Sequence, residues 1–103
     1  MSKTLHGHID VVVGDVTYEL RPTLAAVRAI ESRLNGLRGA SAALHAVSVD
    51  AAAIVIAAGA NLAVDKTEGL PEAVWQHGVA ELTPRLIEFL GALYNPRGGK
   101  LGK

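Results

Sequence analysis

The 103-residue sequence contains no cysteine, which excludes a disulfide framework, a thiolate metal site and a cysteine nucleophile. Aromatic residues make up only 4% of the chain although half of it is hydrophobic, so alanine, valine, leucine and isoleucine must form the core. Such a composition favours closely packed helices. At this length the chain can form one domain and is too short for two with separate cores.

Neither sign of charge is in excess. Ten basic residues balance ten acidic ones, which removes the broad electrostatic attraction on which binders of nucleic acid or of anionic membranes rely. The most apolar stretch, residues 49–64, contains Asp50, Gly59 and Asn61 and is shorter than the roughly 20 residues that span a membrane. The N-terminal segment lacks the continuous apolar stretch of a secretory signal. We therefore expect a cytoplasmic protein that binds neither nucleic acid nor a membrane.

Two short alternating segments near the N-terminus predict a β-hairpin. Apolar residues recur at every second position over residues 9–13 and again over residues 16–20, which is the period of half-buried strands. Gly14-Asp15 lies between them, and glycine supplies the positive φ of a tight connection. An isolated hairpin is marginally stable, so its apolar face must pack on the rest of the chain.

Helical spacing follows the hairpin. Thr23 is a candidate N-cap for a helix that ends at Asn35-Gly36, where one residue adopts the left-handed conformation. Residues 37–47 predict a short, weak helix. Ser48 is the candidate cap of the next helix, whose segment AAAIVIAAGANLA is apolar on nearly every side. A helix of that kind is either central in the fold or covered on one face by a partner.

The last helical region begins at Pro71 and ends at Asn95-Pro96. Thr83-Pro84 interrupts it, either as a kink or as the start of a new helix. The predicted fold class is therefore α+β, an N-terminal antiparallel β-hairpin packed on a small bundle of about four helices. We expect residues 1–95 to form a single domain and residues 96–103 to be a flexible C-terminal tail.

Histidines suggest the first possible chemistry. His6 and His8 lie on the same side of the first predicted strand and could offer two nitrogen ligands to a metal ion. A metal site needs at least a third ligand and groups that orient the imidazoles. His45 and His77 are on separate predicted helices without a metal-binding motif, so we expect no metal site.

Catalytic motifs are also missing. None of the serines lies in a G-x-S-x-G turn, and Glu81 and Glu88 have the spacing of ordinary outer-face residues. The tail sequence RGGKLGK lacks the strand, Lys-Ser/Thr pair and helix of a phosphate-binding loop. We therefore expect no enzyme, no catalytic residue and no cofactor.

What remains is surface for binding protein. A two-stranded hairpin has exposed edges that can pair with another copy or with a partner, unless the fold covers them and the domain is self-contained. Homo-oligomerisation is therefore possible. The residues that we predict to bind a partner are Tyr18, Leu20, Trp75, Phe89 and Tyr94.

The order of the motifs resembles the tail assembly chaperone family of phages and gene transfer agents. It runs G-x-I-x-V-x-V-G-D-V-x-Y-x-L-R-x-T-L, then A-x-x-x-I-E-x-x-L-x-G, an alanine-rich helix, and V-x-E-L-T-x-x-L-x-x-x-L-x-A-L-Y. The positions that carry the resemblance are Gly7, Gly14, Tyr18, Leu20, Arg21, Thr23, Leu24, Glu31, Leu34, Gly36, Leu82, Thr83, Leu90 and Leu93. They span residues 7–95, nearly the whole chain. Pro84 and the very apolar third helix depart from the family's pattern.

This resemblance implies a cytoplasmic assembly factor without catalytic residues. It would coat the tape measure protein, help recruit tail tube protein and then leave the finished tail. It also implies a longer frameshifted form, which a slippery codon pair at Gly99-Lys100 would permit. Two alternatives remain open: a structural tail or neck component retained in the particle, and a small regulatory domain that dimerises through its hairpin.

Overall fold

A two-stranded antiparallel hairpin and five α-helices make up residues 8–94, the part of the chain that the computed structural model describes. The strands are β1 (Ile9–Val13) and β2 (Val16–Leu20), the helices are α1 (Leu24–Leu34), α2 (Gly36–His45), α3 (Val49–Ala60), α4 (Leu70–His77) and α5 (Val79–Leu93), and a 3₁₀ turn covers Val64–Lys66. The predicted α+β class, with an N-terminal hairpin on a helical bundle, is confirmed. His6, the predicted helix end at Asn95-Pro96 and the predicted tail lie outside the described residues.

The hairpin has the register that its two-residue turn dictates. Val11 pairs with Tyr18 and Ile9 with Leu20, and Gly14 has a φ of 62° in the turn. The inward side chains of β1 are buried, as its alternation predicts. In β2 burial increases along the strand, from Val16, which is half exposed beside the turn, to Leu20, which is fully buried. The inward face of β1 is therefore buried along its whole length, whereas that of β2 is fully buried only at its last residue.

The predicted helix caps are confirmed. Thr23 Oγ1 accepts a hydrogen bond from Ala26 N at 3.1 Å, and Ser48 Oγ accepts one from Ala51 N at 3.1 Å. Asn35, in the left-handed region with a φ of 65°, ends α1. These caps satisfy backbone groups that a helix leaves unpaired at its ends.

The apolar helix α3 lies at the centre of the fold, which is one of the two positions predicted for it. It contacts β2 and every other helix of the described chain. At Gly59 two neighbours approach closely, because a Cβ there would lie 2.9 Å from Leu20 Cβ and 2.9 Å from Phe89 Cζ. The backbones of the hairpin end and α3 also meet at this point, where Arg21 N donates a hydrogen bond to Gly59 O at 3.0 Å. The missing side chain at Gly59 thus lets the end of the hairpin and α5 pack on the same turn of α3.

The predicted start of a new helix at Thr83-Pro84 is wrong. The chain breaks at Gly78, whose φ of 108° suits glycine, and Pro84 lies inside α5. A proline in a helix removes one backbone donor. Pro84 is on the exposed side of α5, while the Thr83 hydroxyl donates to Val79 O at 3.0 Å. The helix therefore continues through Pro84, and glycine supplies the break six residues earlier.

Alanine substitutions at two helical glycines test the close approach on α3. Gly59→Ala should lower the free energy of unfolding by about 1–3 kcal/mol, because the added methyl group overpacks against Leu20 and Phe89. Gly91→Ala is the matched control, since nothing lies within 4 Å of a Cβ at this position of α5. It should raise the stability by about 0.5–1 kcal/mol through helix propensity alone. Thermal unfolding measures both, and a stabilising Gly59→Ala would contradict the packing described.

Candidate functional site

A groove of about 520 Å³ runs along the surface between α1 and α3 and reaches the start of α4. Its lining residues are Ala25, Ala29, Arg33, Asp50, Ala53, Ile54, Ala57, Ala58, Asn61, Leu62, Thr67, Leu70 and Pro71. We call this the alanine groove, because five of these residues are alanines contributed by α1 and α3. It was not predicted from the sequence.

Helical spacing explains the apolar floor of the alanine groove. Ala25 and Ala29 lie one turn apart on α1, and Ala53 and Ala57 lie one turn apart on α3, so each pair shares a helix face. Side chains as short as alanine's leave space above two packed helices that longer side chains would fill. The groove is therefore a consequence of the alanine-rich composition.

The ends of the alanine groove are polar. Arg33, in the last turn of α1, and Asp50, in the first turn of α3, lie at one end, and Asn61 lies at the other. Arg33 and Asp50 form no ion pair with each other, so both charges are available to another molecule. An apolar floor with a polar rim is the usual anatomy of a protein-binding surface.

Helical spacing places Trp75 one turn away from the alanine groove. Pro71 lines the groove, and Trp75 follows it by one turn on the same side of α4. With 66% of its surface exposed, Trp75 is the most exposed large hydrophobic residue of the described chain. Tryptophan is enriched among the residues that dominate binding energies at protein interfaces.

The five predicted partner-binding residues separate into three groups. Trp75 is exposed, and the half-buried Tyr18 lines a depression that shares Ala25, Asn61 and Leu62 with the alanine groove. Leu20 and Phe89 are fully buried against α3 and offer no surface to a partner in this fold. Tyr94 is half-buried at the end of α5. The prediction that Leu20 and Phe89 bind a partner is wrong, because an apolar residue at a regular strand or helix position has the same sequence pattern in a core as in an interface.

The Tyr94 hydroxyl is buried near the Glu31 carboxylate. Burial, followed by the negative charge of nearby Glu31, raises the pKa of Tyr94 above its ordinary value. Both effects disfavour the phenolate, and the side chain of Tyr94 packs against the core.

The exposed face of the hairpin carries a second cluster, His8, Asp10 and Glu19. Asp10 and Glu19 are direct cross-strand partners, and His8 precedes Asp10 by two residues on the same face. His8 Nδ1 lies 3.2 Å from Glu19 Oε2, and His8 Nε2 lies 3.6 Å from Asp10 Oδ1. The sequence pattern pointed to His6 and His8 and to neither carboxylate as a possible ligand, although the Gly14-Asp15 turn sets the register that brings Asp10 and Glu19 together.

The other residues weighed for chemistry have structural contacts. His77 Nδ1 accepts a hydrogen bond from Gly14 N at 3.0 Å and so ties the hairpin turn to α4. His45 Nδ1 lies 2.9 Å from Ser41 O, one turn earlier in α2. Glu88 pairs with Arg85 at 3.1 Å on the exposed side of α5. Neither histidine belongs to the cluster on the hairpin.

A titration tests the surroundings of Tyr94. The chain has two tyrosines, so Tyr18→Phe leaves Tyr94 as the single one, and its tyrosinate absorbance should appear at higher pH in the folded than in the unfolded protein. Adding Glu31→Gln should move that transition to lower pH, because one of its causes is removed.

The sign of the stability effect follows from the same shift. Because the pKa of Tyr94 is higher in the folded protein, this tyrosine loses its proton at lower pH in the unfolded chain. The stability that the shift contributes is therefore complete below the unfolded pKa of about 10 and declines as pH rises above it. Tyr94→Phe should therefore unfold with a weaker alkaline dependence than the parent. An equal dependence in both proteins would contradict the assignment.

Within residues 8–94, no helix combines the length and apolarity needed to cross a membrane. Comparisons of the chain with protein-family models, with curated proteins and with solved structures found no match.

Proposed function

We propose that this chain is a non-enzymatic, cytoplasmic tail assembly chaperone of a phage, prophage or gene transfer agent. It would bind helical segments of the tape measure protein and help recruit tail tube protein. The order of motifs along residues 7–95 supports the family, and the alanine groove with the adjacent Trp75 supports the mode of binding. The groove is the observation that carries the proposal.

The dimensions of the alanine groove fit a short amphipathic helix. Its α1 wall runs from Ala25 to Arg33, which corresponds to about 12 Å at 1.5 Å per residue, or about two helical turns. A helix that lays its apolar face in such a groove is a common mode of peptide recognition. The short alanine side chains of the groove can accommodate apolar side chains of different shapes, which suits a partner with many similar but non-identical helical segments.

Two turns of helix bury little surface, so each contact is weak. Many copies bound along one long partner would still keep its apolar segments covered, because the contacts act together on a single chain. Polymerising tail tube protein could then displace the copies one at a time. A coat that must later be removed is better served by numerous weak contacts than by a few tight ones.

The two alternatives make different demands on the fold. Both strands of the hairpin are edge strands, since the sheet of the described chain has only two, and this feature favours a dimeric regulatory domain. A structural tail or neck component needs no surface that is released during assembly. Mass spectrometry of purified particles separates this component from a chaperone, which should be missing from them.

Paired substitutions test the docking surface. Ala25→Glu places a charge in the alanine groove and should weaken co-purification with the tape measure protein encoded in the same gene cluster. The matched control is Ala42→Glu, an exposed alanine of α2 outside the groove. Trp75→Ala should weaken binding by about 2 kcal/mol or more, as loss of a hot-spot tryptophan does, whereas Leu37→Ala, at an exposed residue of α2, should not.

The proposal fails if neither groove variant changes the binding while the controls behave alike. Light scattering gives the other decisive result, since a tight homodimer that ignores the tape measure protein identifies a regulator. The neighbouring genes provide an independent check: a tail tube gene upstream and a very long tape measure gene downstream are expected.

A further inference from the structure

We propose that His8, Asp10 and Glu19 form a zinc site on the exposed face of the hairpin. Each offers one ligand atom, and these atoms all lie within 4.8 Å of one another. This inference does not depend on the proposed function, because the cluster lies outside the alanine groove.

The spacing of the ligand atoms suits a small divalent ion. Zinc binds imidazole nitrogen at about 2.0–2.1 Å and carboxylate oxygen at about 2.0–2.2 Å, so two ligands of a tetrahedral ion lie about 3.4 Å apart. His8 Nδ1 and Glu19 Oε2 are 3.2 Å apart, close to that separation. Asp10 Oδ1 is 3.6 Å from the other ring nitrogen, so the half-exposed imidazole has to rotate for one nitrogen to share an ion with both carboxylates.

Arg21 orients one of the ligands. Its Nη2 donates to Glu19 Oε1 at 3.0 Å, which directs the second carboxylate oxygen, Oε2, toward His8. Outer-shell contacts of this kind hold metal ligands in place. The Arg21 guanidinium therefore binds Glu19 Oε1 and leaves Oε2 free to bind the metal.

The charge of the cluster also favours a cation. Asp10 and Glu19 are directly opposite in the register, and like charges in that position destabilise a strand pair. With a neutral imidazole, Arg21 balances one of the two carboxylates and leaves one negative charge. A divalent ion bound to both would replace repulsion between the strands with a link between them.

The donor set selects the type of metal. The imidazole nitrogen favours a transition metal such as zinc, whereas magnesium and calcium prefer oxygen ligands only. The side chains of His8, Asp10 and Glu19 are 48%, 53% and 42% exposed, so water can complete the coordination. An ion held by three side chains with an open position is the expected arrangement.

Zinc titration of the tag-free full chain, followed by a competing chromophoric chelator and by thermal unfolding, tests the site. One equivalent of zinc should bind and raise the unfolding temperature, and excess magnesium should not displace it. His8→Ala, Asp10→Asn and Glu19→Gln should each weaken binding about tenfold or more, since even outer-shell changes weaken metal sites 10- to 100-fold. His45→Ala and Glu88→Gln are matched controls that remove a histidine and a carboxylate elsewhere and should bind zinc like the parent.

Asp10→Asn separates loss of the ion from loss of the hairpin. Without zinc its unfolding temperature should be equal to or above that of the parent, because the like-charge pair is gone, yet zinc should no longer raise it. Unchanged zinc affinity in Asp10→Asn and Glu19→Gln would overturn the proposal. Retention there with loss in His6→Ala would assign the ion to the two N-terminal histidines and overturn it equally.

Discussion

Burial of most of the apolar surface of α3 is the constraint on which the fold depends. A helix that is apolar on nearly every side is unfavourable in water, so other elements must cover most of it. Gly59 makes this cover possible where space is shortest, because Leu20 and the ring of Phe89 occupy the volume that a side chain would fill. The adjacent bond from Arg21 N to Gly59 O fixes the hairpin at the same turn. A two-stranded sheet that is marginal alone thereby becomes part of the core.

The same composition leaves α3 incompletely covered on one side. Alanine side chains let α1 approach α3 closely, but they are too short to fill the space above the contact, and the alanine groove remains. The close packing of α1 on α3 and the groove above this contact thus both result from the small size of alanine. Large aromatic residues would have filled the groove, and the sequence has few of them. The exposed one, Trp75, is not among the residues that line the groove.

The sequence predicted local structure better than it predicted surfaces. Strand alternation, the Gly14-Asp15 turn and the caps at Thr23 and Ser48 act over a few residues, so their patterns survive in the fold. The break between the last two helices was misplaced because apolar spacing continues across Gly78 and conceals it, while Pro84 is tolerated on the exposed side of α5. Whether an apolar side chain in a regular pattern faces the core or the surface depends on which element packs beside it. Leu20 and Phe89 show that this information is not local.

The alanine groove required knowledge of which helices are neighbours, and no spacing within α1 or α3 supplies that. The cluster on the hairpin is different, because the two-residue turn already implies that Asp10 faces Glu19. Its residues are also close in sequence to the contact that joins the hairpin to α3. Glu19 holds Arg21 through its side chain, and Arg21 holds Gly59 through its backbone, so one residue connects the charged face of the hairpin to the central helix. An ion that restrains Glu19 would restrain this connection, which lies beside the Asn61 end of the alanine groove. The two surfaces are separate in chemistry, yet they are linked through the same turn of α3.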